Sequence, residues 1–200
     1  FYTDGDGMLI TPEKLEYGEG YSLVEVSAPY GYVLNSDPVY FDITEDNSTE
    51  ENAVTVVIVE KENAPQMGVI NVEKTGEYLA SDVDTKDSKR LVYAVGGLAG
   101  AEYTVTAAED IYTPDGTLRY SKDEVVAVLV TEADGKAVTE PLFLGRFNVV
   151  ETKAPYGMII NPTVQTVELT YAGQEVEITE TSTGVYNERQ KVEIDLNKVM

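Results

Sequence analysis

Hydrophobic and polar residues alternate along much of the chain, which is the pattern of β-strands that bury one face. In the central part, the alternating runs are bounded by glycine, proline and other turn residues. They predict strands at 68–74, 101–108, 125–131, 142–151, 164–170, 174–180 and 184–190. Because no long run has helical periodicity, the pattern predicts an all-β sandwich or barrel.

Two polar stretches interrupt this alternation. Residues 76–97 include the run Ser81–Ser88, which is rich in aspartate, and we expect this segment to form a long surface loop. Residues 44–52 are similarly acidic and predict a second loop. The Pro-Tyr-Gly sequences at 29–31 and 155–157 predict tight turns.

The two predicted turns belong to a repeat that is centred on a glutamate. Tyr21–Tyr32 reads YSLVEVSAPYGY, and Phe147–Met158 reads FNVVETKAPYGM. In each copy the glutamate follows an aromatic and an apolar residue at a spacing of two, so Glu25 and Glu151 lie on the apolar face of a strand. A carboxylate in an apolar interior is costly unless it is paired or protonated. Its repetition therefore indicates a function.

The repeat extends beyond this motif, because the segment from Asn63 to Lys74 recurs from Asn187 to Lys198. A repeat of about 124 residues suits a tandem array of immunoglobulin-like sandwiches. Phe1 begins within the repeat, so we expect the chain to be part of a longer protein. The expected division is the C-terminal part of a first module without its opening strands (1–63), a complete module (64–190), and the first strand of a following module or a linker (191–200).

Alternation also places other polar residues on apolar faces. Lys74 shares a strand face with Ile70 and Val72, and Asn187 shares one with Val185. The same reasoning points Asn63 and Lys198 inward in the neighbouring modules. Each complete module is therefore expected to direct one lysine, one glutamate and one asparagine into its interior.

These three residue types can react with one another. Burial disfavours the charged form of lysine, and a neutral amine is a nucleophile towards the carboxamide carbon of asparagine. A buried, protonated glutamate can polarise the amide oxygen and shuttle protons to departing ammonia. The expected product is an amide bond between Lys74 and Asn187, with Glu151 as the proton shuttle. A non-covalent cluster of the same three residues is the alternative.

Composition excludes several other kinds of chemistry. The formal net charge of −22 argues against nucleic-acid binding. The chain has no histidine and no cysteine, which excludes ordinary hydrolase triads, zinc–thiolate sites and disulfides. No apolar stretch is long enough for a membrane helix. The acidic runs Asp4–Gly7 and Asp82–Asp87 lack the spacing of an EF-hand loop, so no metal and no cofactor are expected.

The combined pattern resembles the Cna protein B-type domains of the SpaA pilin kind, found in Gram-positive surface adhesins and pili. The resemblance rests on the Glu-x-x-Ala-Pro-x-Gly box, on Leu98–Val105 and on the flanking lysine and asparagine. It implies prealbumin-like sandwiches that form a spontaneous isopeptide bond. By position it assigns the bond to Lys74 and Asn187 and catalysis to Glu151. Glu25 and Asn63 match in the first module, whose lysine would precede Phe1, and Lys198 would serve a third module.

The resemblance implies a structural stalk or shaft repeat of an extracellular protein anchored to a Gram-positive cell wall. Its partners would be neighbouring modules and, in a pilus, sortase-linked subunits. The alternative is an adhesin module that recognises a host protein or glycan through its loops, with 76–97 as the best candidate surface. An enzyme acting on external substrates is not expected, because the one reactive set is internal and turns over once.

Overall fold

The computed structural model describes residues 1–44, 57–86 and 88–199, so most of the predicted loop at 44–52 lies outside the described residues. The described residues form strands and no helix, which confirms the all-β prediction. In this part of the chain there is accordingly no helix that is long and apolar enough to cross a membrane. The strands are β1 Gly18–Leu23, β2 Val39–Ile43, β3 Met67–Asp84, β4 Lys89–Gly97, β5 Glu102–Ala107, β6 Ile111–Tyr112, β7 Leu118–Tyr120, β8 Val125–Val130, β9 Lys136–Val138, β10 Leu142–Phe143, β11 Gly145–Lys153, β12 Gln165–Leu169 and β13 Ile178–Asn187.

The chain divides into two compact units. Unit 1 comprises Phe1–Ala28 and Leu34–Ala64, and unit 2 comprises Pro29–Val33 and Pro65–Met200. Unit 1 contains the antiparallel pair β1 and β2, on which the rings of Tyr21 and Phe41 stack with centroids 5.6 Å apart.

Unit 2 contains two larger sheets. One is antiparallel, with the strand order β12-β11-β5-β8. The other is centred on β3, which pairs in parallel with β13 and antiparallel with β4, β9 and β10. Alternate side chains of these strands, together with Ala101 just before β5 and Ile111 of β6, form the apolar core: Ile70, Val72, Ala101, Tyr103, Val105, Ala107, Ile111, Leu129, Leu142, Phe147, Val149, Leu169 and Val185.

The alternation that predicted the strands also sets how β11 lies against β5. Inward-facing Phe147 and Val149 lie opposite Ala107 and Val105, and Glu151 lies opposite Tyr103. A strand has a period of two, so placing Phe147 and Val149 in the core brings Glu151 onto the same face. The predicted strands at 101–108, 125–131 and 164–170 are found, with ends that differ by a few residues. The single strand predicted at 142–151 is instead two strands: β10 pairs with β3, whereas β11 pairs with β5 and β12 in the other sheet.

The prediction of a surface loop at 76–97 is wrong. β3 continues to Asp84 and β4 returns from Lys89 to Gly97, which makes the segment an antiparallel hairpin. Backbone pairing and polar contacts support the hairpin, including an ion pair of 2.7 Å between Lys89 Nζ and Asp82 Oδ2. Much of the hairpin is exposed, so its residues do not need the apolar alternation on which the strand prediction depended.

The predicted strands at 174–180 and 184–190 are also corrected, because Ile178–Asn187 forms one strand. Its middle reads Thr-Ser-Thr-Gly, which resembles a turn in the sequence but here pairs continuously with β3. The sequence also missed the short strands β6, β7 and β9, because two or three residues cannot establish a period.

Both predicted Pro-Tyr-Gly turns are present. The amide of Tyr32 donates to the carbonyl of Pro29 at 3.1 Å, and the amide of Met158 donates to that of Pro155 at 3.0 Å. The central glycine of the second turn, Gly157, has a φ of 76°, a conformation that favours glycine.

Candidate cross-linking site

Lys74 lies in the middle of β3, and its side chain is fully buried. The backbone is fixed on both sides: the amide of Lys74 donates to the carbonyl of Gly135 at 2.7 Å, and its carbonyl accepts from the amide of Leu98 at 3.0 Å. The side chain is directed inward because it continues the row formed by Ile70 and Val72. Strand pairing and core packing therefore hold the amine inside unit 2.

The amine of Lys74 makes few polar contacts for a lysine. Nζ donates to the carbonyl of Val185 at 2.8 Å and to that of Thr75 at 3.3 Å, and it lies 3.9 Å from Glu151 Oε1. Burial lowers the pKa of Lys74 from 10.5 to about 8, and the nearby charge of Glu151 opposes part of this shift. A neutral, nucleophilic amine is therefore accessible near neutral pH.

Glu151 is buried on β11 and contacts both other predicted residues. Its two oxygens accept from Asn187 Nδ2 at 2.7 and 2.9 Å. Oε2 also accepts from the backbone amide of Asn161 at 2.6 Å. The carboxylate thus lies between the amine of Lys74 and the carboxamide nitrogen of Asn187, where it can pass a proton from one to the other.

Asn187 ends β13, is buried, and shares the inner face with Val185. Its Nδ2 contacts Glu151, but its Oδ1 has no hydrogen-bond partner. An unpaired buried carbonyl oxygen costs free energy and invites an explanation. The structure therefore brings Lys74, Glu151 and Asn187 into one closed cluster around the glutamate.

Asn161 is a member of this cluster that sequence reasoning missed. Besides its amide contact to Glu151, its Nδ2 donates to the carbonyl of Tyr186 at 3.3 Å, next to Asn187. Its Oδ1 accepts from the amide of Thr163 at 3.2 Å. The residue thereby ties the loop after β11 to β13 and holds the glutamate and asparagine in place.

A signal for Asn161 was present in the repeat, because Asn35 follows Glu25 at the same spacing in unit 1. Glu25 Oε2 accepts from Asn63 Nδ2 at 2.7 Å and from the amide of Asn35 at 3.0 Å. Asn35 Nδ2 donates to the carbonyl of Glu62 at 3.4 Å, again one residue before the predicted asparagine. The structure therefore brings Glu25 and Asn63 together in the arrangement of Glu151 and Asn187.

The remaining predicted residue, Lys198, is not part of either cluster. It lies in the exposed segment 191–199, which forms no strand. The alternating apolar residues of this segment, which include Ile194 and Leu196, are also exposed.

Tyr103 is a second buried polar residue that sequence reasoning did not single out. It lies on β5 opposite Glu151, and its side chain is completely buried. Its hydroxyl has no hydrogen-bond partner. Burial and, to a smaller extent, the charge of Glu151 raise the pKa of Tyr103, so the hydroxyl keeps its proton.

Among the described residues, no group of three or more histidine, cysteine, aspartate or glutamate side chains is arranged to hold a metal ion. Asp82 and Asp84 instead face Lys89, with Nζ–Oδ distances of 2.7 and 3.7 Å.

The all-β fold agrees with a family comparison. The model of the SpaA family, described as a prealbumin-like fold domain, matches residues 1–57 and 81–183. Because this match covers most of the chain, the protein belongs to the SpaA prealbumin-like fold domain family. The comparison with curated proteins gives no match.

Several solved structures are similar to parts of this chain. The Bacillus anthracis TIE protein is 26% identical, with 88% of this chain and 26% of that chain covered and a TM-score of 0.49. GBS52, the minor pilin of Streptococcus agalactiae, is 17% identical, with 66% and 49% covered and a TM-score of 0.41. BcpA, the major pilin subunit of Bacillus cereus, is 23% identical, with 62% and 29% covered and a TM-score of 0.38. The chain thus spans at most about half the length of these proteins.

Proposed function

We propose that this chain is a structural shaft or stalk segment of a Gram-positive pilin or adhesin, hardened by an internal isopeptide bond between Lys74 and Asn187. The observation that carries the proposal is the buried cluster in which Glu151 contacts both the amine and the carboxamide. An ion pair alone gains little from such complete burial, because desolvation offsets the attraction. A reaction between the buried groups accounts for their placement.

The reaction balances without any external reagent. The neutral amine of Lys74 adds to the carboxamide carbon of Asn187, and a new carbon–nitrogen bond forms. Glu151 accepts a proton from the attacking nitrogen and delivers it to Nδ2. The bond from carbon to Nδ2 then breaks and ammonia leaves, so the products are one secondary amide and one ammonia. Each chain performs this step once and is not an enzyme for external substrates.

The bond would connect the two adjacent parallel strands β3 and β13. It would close a loop of roughly 110 residues, which by the loop-entropy model contributes about 4–5 kcal/mol to stability. Force applied along the chain would pass through the cross-link between the strands and bypass the sandwich interior. An amide also resists reduction, which suits a protein without cysteine.

Family membership supports the setting of this role. Two of the similar proteins, GBS52 and BcpA, are a minor pilin and a major pilin subunit. By analogy, we place this chain outside the cell, at a Gram-positive cell wall, beside neighbouring modules and, in a pilus, beside sortase-linked subunits. The proposed modules are 1–63, 64–190 and 191–200, with Asn63 and Lys198 cross-linked to residues outside the chain.

A ligand-binding role is the alternative, and it would fall on the β3–β4 hairpin. Leu79, Val83 and Leu91 are exposed there, as an interaction surface requires. The buried cluster has no part in such a role, so the shaft function explains more of the molecule.

The bond is tested by the intact mass of the purified chain. The parent protein is expected to be lighter than its sequence mass by one ammonia, and fragmentation should give a branched peptide joining Lys74 to Asn187. Lys74→Ala and Glu151→Gln are expected to retain the ammonia, because they remove the nucleophile and the proton shuttle.

Lys61→Ala is the matched control, because Lys61 is a partly buried lysine of unit 1 that contacts Asn35. This variant should lose ammonia as the parent does. A parent chain with its full sequence mass would refute the cross-link, and so would ammonia loss that persists in Lys74→Ala.

A further inference from the structure

The cluster leaves one chemical requirement unmet. When an amine adds to a carboxamide, negative charge develops on the carbonyl oxygen, here Asn187 Oδ1, and a hydrogen-bond donor is needed there. The sequence predicted that Glu151 would polarise this oxygen, but in the structure both glutamate oxygens contact Nδ2, the leaving nitrogen. Asn187 Oδ1 itself has no partner.

A buried donor without a partner lies in the same interior. Of the buried side-chain oxygen and nitrogen atoms in the described residues, two lack a hydrogen bond: the hydroxyl of Tyr103 and Oδ1 of Asn187. One of these atoms can donate and the other can accept. Tyr103 lies directly opposite Glu151 in the pairing of β5 with β11, and Glu151 contacts Asn187.

We propose that the Tyr103 hydroxyl donates to Asn187 Oδ1 as the amide bond forms and stabilises the oxyanion of the tetrahedral intermediate. This inference rests on the proposed cross-link. The electron pair of the carbonyl moves onto Oδ1 when Lys74 adds and returns when ammonia leaves. Tyr103 keeps its proton throughout, and Glu151 carries the proton that is transferred.

Tyr103 is suited to stabilising the oxyanion because its hydroxyl stays neutral and is shielded from water. Its raised pKa keeps the hydroxyl protonated at neutral pH. Its complete burial excludes water, which would otherwise compete for Oδ1. A phenylalanine at this position would fill the core equally well, so packing does not explain the hydroxyl.

The test follows the rate of ammonia loss in the full chain after cell-free synthesis, sampled by intact mass. Tyr103→Phe is expected to slow the reaction by about 10²-fold or more, as loss of an oxyanion donor does. Tyr120→Phe is the matched control, because Tyr120 packs on Phe143 and Phe147 in the same core. This control should react at the parent rate.

The pH profile separates a chemical role from a structural one. Tyr103→Phe should keep the parent midpoint, which Lys74 sets, and reach a lower plateau. A shifted midpoint would mean a disturbed lysine environment and would overturn the proposal. So would an unchanged rate in Tyr103→Phe while the parent loses ammonia, an outcome that leaves the cross-link intact. A parent that never loses ammonia refutes the cross-link itself.

A second variant covers the case in which Tyr103→Phe does not fold. 3-Fluorotyrosine placed at position 103 keeps the ring and the hydroxyl but makes the hydroxyl a stronger donor. Faster ammonia loss than in the parent is expected. A rate equal to that of the parent would contradict the role of the hydroxyl.

Discussion

At the scale of single residues, the decisive feature is that the side chain of Lys74 is shielded from solvent. Lys74 is fully buried, and its amine lies within ion-pair distance of the carboxylate of Glu151. Water normally stabilises the charged amine, so its removal makes the neutral form accessible. The same residue therefore lowers the stability of the fold before the reaction and provides the nucleophile for it.

This cost gives a pH dependence that can be measured in Asn187→Ala, which cannot form the bond. The pKa of Lys74 is about 8 in the folded chain and 10.5 in the reference state, so between these values the unfolded chain binds more protons. The free energy of unfolding should therefore rise with pH, by about 2 kcal/mol between roughly pH 7.5 and 9.5. Urea unfolding of Asn187→Ala at several pH values measures this change in unfolding free energy.

The control for this experiment is the double variant Lys74→Met/Asn187→Ala, which has no amine at the site. Its unfolding free energy should be nearly constant over the same range. A constant value in Asn187→Ala itself would show that the amine is not desolvated in the folded chain.

At the scale of elements, the site depends on how closely two loops approach β3. Gly135 has a φ of 81°, and a Cβ added there would lie 2.4 Å from the carbonyl oxygen of Lys74 and 2.6 Å from Gly97 Cα. The hydrogen bonds that fix the backbone of Lys74 come from these same loops. The loops therefore position the lysine as firmly as the strand does.

Gly135→Ala should displace this loop from β3. We expect the free energy of unfolding to fall by about 1–3 kcal/mol, because both the backbone conformation and the close contact become strained. Gly116→Ala is the matched control: Gly116 has the same φ of 81° but nothing within 4 Å of an added Cβ. Urea denaturation of the two variants separates the effect of backbone strain from that of the steric contact. Equal losses of unfolding free energy in both variants would contradict the close approach of the Gly135 loop to β3.

At the scale of the whole molecule, the proposed bond changes the connectivity of the chain. Arg90 is exposed on the hairpin and lies between Lys74 and Asn187 in the sequence. A chain cut there becomes two pieces that the amide bond still joins. No cysteine is present, so a disulfide cannot imitate this result.

Limited trypsin digestion in the hairpin tests this connectivity. The cut parent should run as one species on a denaturing gel, with or without reducing agent, whereas cut Lys74→Ala should separate into two. Two separate pieces from the parent would show that no covalent link spans the cut.

The sequence by itself determined the all-β class and three members of the candidate site. The period of two places Lys74, Glu151 and Asn187 on apolar faces, and the repeat shows that the glutamate is not accidental. The face on which a residue lies depends only on the sequence of its own strand, so it can be predicted without knowledge of the fold.

Only the tertiary structure decided which side chains meet, because that depends on strand order and register. No single strand's sequence indicates that β3 pairs in parallel with β13, or that Tyr103 lies opposite Glu151. The exposed hairpin at 76–97 escaped prediction because its pairing leaves no apolar pattern. The unpaired oxygens of Tyr103 and Asn187 likewise emerge only when the interior closes around them and excludes water.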